Sequence, residues 1–572
     1  MKRPAAHRLP AEMRHGVEDT PPHATTVVQA LQHVGLVATN FIFVLLVVDH
    51  AGAAPEVRAA ALSMSMLMCA LGTALHAYRL GPMGSGYLLP AVASSIYLGP
   101  ALLAVEMGGL PVLAGMLVFA GLCEVVLARL LPRMRPYFPP EIAGLVIFLV
   151  GVTLAVIGLR GLFGLRAAAP MGAAEAGVGA FTLVLMVALQ VRGRGVLGLT
   201  AALIGMLCGC ALAAVLGIFP AQAPGLATGW LAWPNWGAQG LGFDAALMLP
   251  FALTALASAL KAMGSVALSQ RMNDAGWVRP DMANVSRSLV SDGISTLAGG
   301  LLGSPIGANP GSSNVGLVVA TGVASRRVAG VTALILAALA FVPAVGALFL
   351  RMPAVVGGAV LLFTACFIMS NGMEMIVSRL MDARRTLVIG LAVAAGIGVE
   401  VFPEAARHAP HALAPLLSSS LVCGTVLALL LNALFRLGVK RSATLSIDPA
   451  GYKSEQLQRF VDHQGALWGA RRDVIARALQ ALDQLMDSVL AYCEPQGAVQ
   501  LTLSFDEFNL RAELDHEGAA MLFSQVRPTL DDIVDSDDGV RRLAGYMLRQ
   551  SADSVAAQQR GNRQLTLLRF EH

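Results

Sequence analysis

Charged residues are scarce in this chain. Only 13% of its 572 residues are Asp, Glu, Lys or Arg, about half of the roughly 25% typical of soluble globular domains. Hydrophobic residues make up 56% of the chain, and its mean hydropathy is +0.67. This composition excludes a disordered, fibrous or ordinary soluble protein, and it indicates a protein with many membrane-spanning helices.

Other features are also missing. The net charge is only +4, and no basic tract is interleaved with aromatic residues, so nucleic acid is not expected as a partner. The seven cysteines have no metal-binding or disulfide spacing, and we interpret them as small buried hydrophobes. No catalytic triad, metal cluster or phosphate-binding loop is visible, which argues against a membrane enzyme and predicts no cofactor.

The charge that is present divides the chain. Residues 440–572 carry 15 basic and 19 acidic residues, which leaves 25 basic and 17 acidic residues to the first 439. We therefore predict a cytoplasmic N-terminal tail at 1–25, a membrane domain at 26–438 and a cytoplasmic domain at 445–572. The polar, proline-containing start of the chain predicts a mobile tail and not a signal peptide.

Apolar runs predict the membrane spans. A helix needs about 20 mostly apolar residues to cross the hydrocarbon core. Twelve such runs lie at about 26–48, 57–77, 110–131, 138–158, 174–191, 195–218, 244–269, 288–303, 328–350, 353–377, 384–402 and 416–437. Two further segments, 87–100 and 311–323, are too short or too interrupted by Gly, Pro and Ser for full helices. Counted as broken crossings, they give fourteen.

Basic residues support this count. If the N-terminus is cytoplasmic, the connections after even-numbered crossings hold most of the arginines, such as Arg133, Arg271 and Arg326. The longest outer connection, 219–243, holds no Lys or Arg. Because cytoplasmic loops are enriched in Lys and Arg, we predict a multi-pass protein of the inner (plasma) membrane with both termini in the cytoplasm.

The two broken crossings are the third and the tenth of fourteen, so they occupy corresponding places in two sets of seven. Such paired interruptions indicate an inverted-repeat transporter with its binding site between the broken helices. The predicted fold class is an all-α polytopic membrane protein with a 7+7 inverted repeat, followed by a soluble α/β C-terminal domain. A half-helix that starts inside the membrane presents unpaired amides and partial positive charge, which suits an anion or a carbonyl-rich planar ligand.

Four short motifs carry a resemblance to a known family. They are Gln32-His33 in the first span, Pro-Ala-Val-Ala-Ser-Ser at 90–95, Arg287-Ser288-Leu289 with Asp292-Gly293, and Asn314-x-Gly316-x-x-x-x-Thr321-Gly322. In this order, and in register with the spans, they resemble the nucleobase–ascorbate transporter family (nucleobase:cation symporter-2, the xanthine/uracil permeases).

The resemblance implies an architecture and a site. A core domain would comprise about 26–131 and 244–350, and a gate domain about 138–218 and 353–438. The resemblance also implies a homodimer through the gate domains, surrounded by membrane lipid, that transports a small molecule. The implied substrate contacts are Gln32, Ser95, Ile96, Lys261, Ser265, Ser313 and Asn314. The alternative for the small residues is that they only permit close helix packing.

Lys261 is the only charged residue near the middle of the eighth span. A charge there costs about 3 kcal/mol on insertion scales, so it should face a cavity or a partner. One interpretation is contact with the substrate or a coupling ion. The other is a structural ion pair with Asp292 or Asp49.

The implied pocket departs from the family. Lys261 stands where relatives carry a glutamate, Ser313 replaces the glutamate before the signature asparagine, and Ser265 aligns with a second ionisable residue of uracil carriers. Ile96 stands where an aromatic residue often lies. Because an ammonium and a hydroxyl cannot replace two carboxylate acceptors, urate or deprotonated xanthine should fit better than uracil. Proton or sodium coupling would use Lys261 or His33, whose alternative role is structural.

The C-terminal domain is predicted to be mixed α/β. A long amphipathic helical region at 455–493 precedes two strands, a helix at about 539–559 and a last strand. This order resembles the histidine-kinase-like ATPase fold of anti-sigma kinases. The nearest candidates for a nucleotide site are Asp483, Asp487, Asp515 and Gly518, and no glycine-rich lid follows. We expect a degenerate module that docks, dimerises or regulates, and that binds no ATP.

Three functions remain open from the sequence. The leading hypothesis is a secondary active transporter of purine-type nucleobases that works by movement of core against gate. A second is a carrier of inorganic or organic anions on the same fold. A third is a transporter-like sensor that signals through its cytoplasmic tail.

Overall fold

The computed structural model describes residues 9–134, 140–165, 171–218, 231–233, 240–275, 277, 280–377, 381–402, 404, 420–435, 441–470, 472–506, 509–524, 526–528, 537–561 and 563–571. The chain forms two compact units, Met1–Asn432 and Ala433–His572. Each unit is described separately.

The first unit is helical apart from one pair of short strands. Its first elements are α1 (His23–Ala38), α2 (Phe41–His50), α3 (Pro55–Ala77), β1 (Ala91–Ala93), α4 (Leu98–Met134), α5 (Pro140–Leu162), α6 (Ala173–Arg192), α7 (Val196–Leu199) and α8 (Ala201–Val215). The elements that follow are α9 (Met248–Asn273), α10 (Met282–Leu302), β2 (Ala308–Pro310), α11 (Ser312–Thr321), α12 (Arg326–Leu339), α13 (Pro343–Leu350), α14 (Ala354–Ile376), α15 (Ala383–Val401) and α16 (Ser420–Phe435).

Long apolar helices make this a multi-pass membrane protein. Within the described residues, seven helical stretches are long and apolar enough to span a membrane, and an eighth is present if α12 and α13 count as one span. The apolar helices α8, α11 and α16 are shorter. The run predicted as one span at 328–350 is instead a pair of helices bent by 80°. The bend falls before Pro343, which has no amide to continue α12.

The helix α4 contains a sharp break. Gly108 and Gly109 have non-helical backbone angles, and Gly109 has φ +70°, a region that residues with a side chain rarely adopt. The break lies between the segments predicted as the third and fourth crossings. It divides α4 into two helical pieces.

Two short strands correct the all-α prediction for the membrane domain. Strands β1 and β2 pair antiparallel, with Ala91 opposite Pro310 and Ala93 opposite Ala308. All six residues are buried. Each strand is held by a threonine from a neighbouring helix: Thr73 of α3 accepts a hydrogen bond from the amide of Ala91 at 3.0 Å, and Thr296 of α10 accepts one from Ala308 at 3.0 Å.

Glycines permit the closest helix contacts. A Cβ added at Gly121 of α4 would lie 2.5 Å from the carbonyl oxygen of Gly293 on α10. In the same way, a Cβ at Gly144 of α5 would lie 2.7 Å from the carbonyl oxygen of Gly372 on α14. Such separations do not occur between real atoms, so larger residues at these positions would force the helices apart.

Part of the N-terminal segment is attached to the membrane unit, in contrast to the expected mobile tail. The amides of Arg14 and His15 donate to the carbonyl of Gly322, at 2.7 and 3.0 Å, and Ala324 donates back to His15 at 2.8 Å. Glu18 forms an ion pair with Arg326. These contacts hold the segment against the connection between α11 and α12. Residues 1–8 lie outside the described residues.

The second unit is a sheet packed with helices. Its elements are β3 (Arg441–Ile447), α17 (Ser454–Trp468), α18 (Arg472–Tyr492), β4 (Val499–Phe505), β5 (Asn509–Glu517), α19 (Asp537–Ser551), β6 (Ser554–Arg560) and β7 (Arg563–Glu571). The sheet is antiparallel, in the order β3-β4-β5-β7-β6. The helix predicted at 539–559 ends at Ser551, and its last part is strand β6. Strand β3 was not predicted.

Candidate functional site

The strand pair brings two helix beginnings together inside the first unit. Strand β1 leads through the turn Ser95–Tyr97 into α4, and β2 leads directly into α11. No side chain caps the turn or α11 by accepting a hydrogen bond at its start. The first amides of both segments therefore have no partner one turn earlier, and their dipoles place partial positive charge at this point.

On the α11 side, two neutral side chains form a buried bond. Nδ1 of His33, on α1, lies 2.8 Å from Oδ1 of Asn314, and both residues are fully buried. Because that oxygen only accepts, the histidine Nδ1 carries the proton. Nε2 of His33 and Nδ2 of Asn314 have no partner among the described residues. With the proton on Nδ1, Nε2 of His33 is a free acceptor, and Nδ2 of Asn314 has two free N–H donors.

On the opposite side, α9 supplies Lys261. This helix contacts the turn Ser95–Tyr97, β2 and α11. Lys261 interacts electrostatically with Asp292 on α10, but no ion pair within 4 Å joins them. Asp49, the other partner considered, pairs with Arg58 at 2.8 Å. The ammonium is thus near a carboxylate without being neutralised by direct contact.

Asp292 is part of a buried polar group. Its Oδ1 lies 2.9 Å from Nε2 of His76 on α3, and Nδ1 of His76 lies 3.2 Å from the hydroxyl of Ser288. Asp292 and His76 are 1% and 0% exposed. The second oxygen of Asp292, Oδ2, has no partner among the described residues.

A second buried carboxylate was missed by the sequence analysis. The hydroxyl of Tyr97 donates to Oε1 of Glu124, on α4, at 2.8 Å, and both residues are fully buried. The signal was present, because Glu124 is the only acidic residue in the apolar run 110–131. We call the five residues Tyr97, Glu124, Lys261, His76 and Asp292 the charged cluster.

The remaining predicted contacts differ in exposure. Ser95 is half-buried, and Ser313 is exposed at the start of α11. Ile96 is buried within the apolar core, so its side chain does not line an open surface. The hydroxyl of Ser265 donates to the backbone of Lys261 one turn earlier, at 3.3 Å. Gln32 has a buried side-chain oxygen with no described partner.

Two further polar residues of the site were not predicted. Asn309 of β2 donates from Nδ2 to the backbone and side-chain oxygens of Ser258 on α9, at 2.9 and 2.7 Å. Its own Oδ1 has no described partner, and neither has the hydroxyl of Ser94 before the turn. Both follow from the strand pairing, which single-sequence patterns do not specify.

Two of the nucleotide-site candidates of the second unit are bonded to neighbouring side chains. Oδ1 of Asp483 accepts hydrogen bonds from Ser454 and, at 3.2 Å, from Tyr452. Burial and this carboxylate raise the pKa of the Tyr452 hydroxyl well above its usual value. Asp515 is paired with Arg563 at 2.8 Å. Within the part of the chain that the structure describes, no group of His, Cys, Asp and Glu could hold a metal ion.

Comparisons with known proteins agree on the membrane unit. A sequence profile described as the permease family, for xanthine/uracil permeases, matches residues 24–405. A Clostridium perfringens protein named as a purine permease (CPE0397) is 28% identical over 426 residues, covering 74% of this chain and 93% of that protein. The xanthine permease XanP of Escherichia coli K12 is 28% identical over 451 residues, covering 76% and 96%.

A solved structure shares the fold. Murine Slc26a9, an anion transporter in its inward-facing state, aligns with a TM-score of 0.52 at 10% identity, covering 75% of this chain and 71% of that one. At this identity the likeness concerns the fold alone.

Proposed function

The chain belongs to the xanthine/uracil permease family, whose members are transporters and not enzymes, and we propose that it transports purine-type nucleobases by secondary active transport. The observation that carries the proposal is the pairing of β1 with β2. It brings two uncapped helix beginnings together, the His33–Asn314 bond lies at the start of one of them, and α9, the helix that carries Lys261, contacts both. The relatives named as purine and xanthine permeases support the same substrate class.

The chemistry of the site favours an oxidised purine over uracil. Two helix dipoles and an ammonium give the site a positive potential, which favours an anion or carbonyl oxygens. The free N–H donors of Asn314 suit carbonyl oxygens, and the free Nε2 of His33 suits a ring N–H. Urate and deprotonated xanthine combine these groups with a negative charge. Neutral uracil lacks the charge.

The mechanism we propose is alternating access by movement of a core domain against a gate domain, with fourteen crossings in two inverted sets of seven. The packing supports this symmetry, because Thr73 and Thr296 hold the two strands in the same way on corresponding helices. The contact between α5 and α14 joins the first helix of each proposed gate half through Gly144 and Gly372. We also propose a homodimer in the inner membrane with both termini cytoplasmic.

A second candidate function is an anion carrier. The feature that favours it is Lys261, a cation where the family resemblance implies a glutamate, because an ammonium attracts anions. Sensing through the second unit remains a third hypothesis, and it predicts that deletion of residues 445–572 leaves binding intact but abolishes the biological response.

Uptake of radiolabelled xanthine into proteoliposomes tests the proposal. We expect saturable uptake that urate competes for and that uracil affects at least tenfold more weakly. Arg58→Ala, which removes an ion pair with Asp49 and a hydrogen bond to the carbonyl of Ala53 but no group of the proposed site, is the control and should transport normally. Competition by sulfate or bicarbonate, without competition by purines, would reassign the protein to anion transport.

A further inference from the structure

Glu124 is a fully buried carboxylate in the second helical piece of α4. One of its oxygens, Oε1, accepts the hydroxyl proton of Tyr97 at 2.8 Å. The other, Oε2, is inaccessible to solvent and has no hydrogen-bond partner among the described residues. A buried ionised carboxylate with an unpaired oxygen is costly. Some cation or proton must therefore satisfy this group during part of its working cycle.

The residues that interact with Glu124 belong to other elements of the first unit. Tyr97 lies on the turn before α4 and donates its hydroxyl hydrogen bond to Glu124. Asp292, on α10, interacts with Glu124 electrostatically. Asp292 is in turn contacted by His76 of α3 and is within electrostatic range of Lys261 of α9. No basic side chain in the described part of the chain contacts Glu124 directly.

The charges of the cluster do not balance when both acids are ionised. Glu124 and Asp292 would contribute two negative charges and Lys261 one positive charge, so neutrality requires one more proton within the cluster. His76 hydrogen-bonds to Asp292. Two carboxylates in one buried site resist ionising together. Each also keeps one oxygen without a described partner. A single bound proton brings the cluster to neutrality, and Glu124 is the acid that lacks a histidine partner.

Tyr97 connects this acid to the substrate position. It ends the turn Ser95–Tyr97, which follows β1, and its hydroxyl donates to Glu124. Lys261 interacts electrostatically with Asp292, the second acid of the cluster. When an anionic substrate binds near Lys261, the ammonium is shared with the substrate, and the two carboxylates lose part of their neutralisation. Proton binding to the cluster then becomes more favourable.

On the basis of the proposed function, we propose that Glu124 binds and releases the coupling proton of transport. One proton from the side of substrate entry binds the Glu124 carboxylate as the substrate binds, crosses with it, and dissociates to the opposite side after substrate release. The acid on α4 thereby supplies the proton-binding group that Lys261 cannot supply on α9. The ammonium of Lys261 binds the substrate, and the carboxyl group of Glu124 binds the proton.

The test uses full-length protein in proteoliposomes and the variant Glu124→Gln, which preserves shape and the acceptor for Tyr97 but cannot ionise. We expect the variant to lose xanthine accumulation driven by a pH gradient by at least tenfold. Exchange of internal for external xanthine at equal concentrations should stay within about twofold of wild type. Glu106→Gln, on the same helix but with a 60% exposed side chain, should behave like wild type.

The first arm of a second measurement uses the wild-type protein alone, so it does not depend on the folding of that variant. A pH-sensitive dye should report proton entry into wild-type vesicles when xanthine is added outside, and no proton entry with Glu124→Gln. Gradient-driven accumulation that survives in Glu124→Gln would overturn the inference, as would a wild type driven by a sodium gradient and indifferent to pH. Absence of xanthine binding and exchange in the wild type would instead refute the proposed function.

Discussion

The two sides of the candidate site share a backbone arrangement and differ in their side chains. On one side, α11 begins after β2 and meets α1 through the bond between His33 and Asn314. On the other, the turn Ser95–Tyr97 follows β1 and meets α9, which carries Lys261. The first side contains a neutral buried pair, whereas the second contains the charged cluster. We propose that this difference separates recognition of the base, on the first side, from handling of charge, on the second.

The neutral side offers directional hydrogen bonds. A neutral histidine bonded to an amide has a fixed orientation and leaves specific donors and acceptors free. The charged side offers a positive electrostatic potential and no directional hydrogen bond, because Lys261 interacts with Asp292 without a direct ion pair. Substitutions on the two sides should therefore change different properties of the ligands that bind.

The largest effect is expected at Lys261. Lys261→Met keeps the length of the side chain and removes its charge, and binding of urate should weaken about 100-fold, or about 2.7 kcal/mol. The thermal midpoint without ligand should fall moderately, because Asp292 loses a nearby positive charge although no direct ion pair is broken. Calorimetric titration with urate measures the effect, and Lys261→Arg should retain most of the binding. A destabilised Lys261→Met whose folded fraction binds normally would make this lysine structural.

Loss of either threonine hydroxyl that holds the strand pair should destabilise the protein by a similar amount. Thr73→Val and Thr296→Val each leave one buried strand amide without its hydroxyl partner, at a cost of about 1–3 kcal/mol. The two variants should lower the thermal midpoint by similar amounts. Thr364→Val, whose hydroxyl bonds only within its own helix α14, is the matched control. Clearly unequal losses would argue against equivalent roles of the two strands.

A smaller effect is expected on the neutral side. Asn314→Ala should weaken binding of both xanthine and uracil about tenfold, or about 1.4 kcal/mol, because it removes N–H donors that do not depend on ligand charge. Adding His33→Ala should cost less than the sum of the two single changes, because the two side chains contact each other. Unchanged affinity in Asn314→Ala would remove α11 from the site.

The smallest effect is expected at the N-terminal segment, which contacts only the α11 side. Glu18→Gln removes the ion pair with Arg326, in which Glu18 is 78% exposed. Exposed pairs contribute about 0–1 kcal/mol, so the thermal midpoint should fall by no more than about a degree, and xanthine affinity should not change. A marked loss of affinity would mean that the segment positions α11 for binding.

Sequence patterns predicted two of the places where the membrane unit departs from regular helix, but not the break at Gly108 and Gly109 or the bend before Pro343. The Gly, Pro and Ser residues of 87–100 and 311–323 excluded full helices there; the first segment contains β1 and the start of α4, and the second follows β2 and contains the short helix α11. The strand register, however, depends on residues more than 200 positions apart, as in Ala93 opposite Ala308. No local pattern specifies that pairing, so Asn309 and Ser94 were not predicted as site residues.

The sequence located the buried charge of Lys261 but did not identify its partner. The sequence singled out Lys261 as the charge near the middle of the eighth span. In the structure Lys261 interacts electrostatically with Asp292, whereas Asp49 forms its ion pair with Arg58. Glu124 was overlooked, although it is equally isolated in its apolar run. In the second unit, the sequence pattern predicted a helix over 539–559. The structure ends this helix at Ser551, and the residues from Ser554 form strand β6 because they pair with β7.

The most direct test is the thermal stability of the purified full-length protein against xanthine, urate, uracil, sulfate and bicarbonate. A ligand at about 100 times its dissociation constant stabilises the folded state by roughly 2.7 kcal/mol. We expect stabilisation by urate and xanthine, a weaker response to uracil, and loss of the urate response in Lys261→Met. Stabilisation by sulfate or bicarbonate alone, or by no purine at all, would contradict a site for anionic purines between the two half-helices.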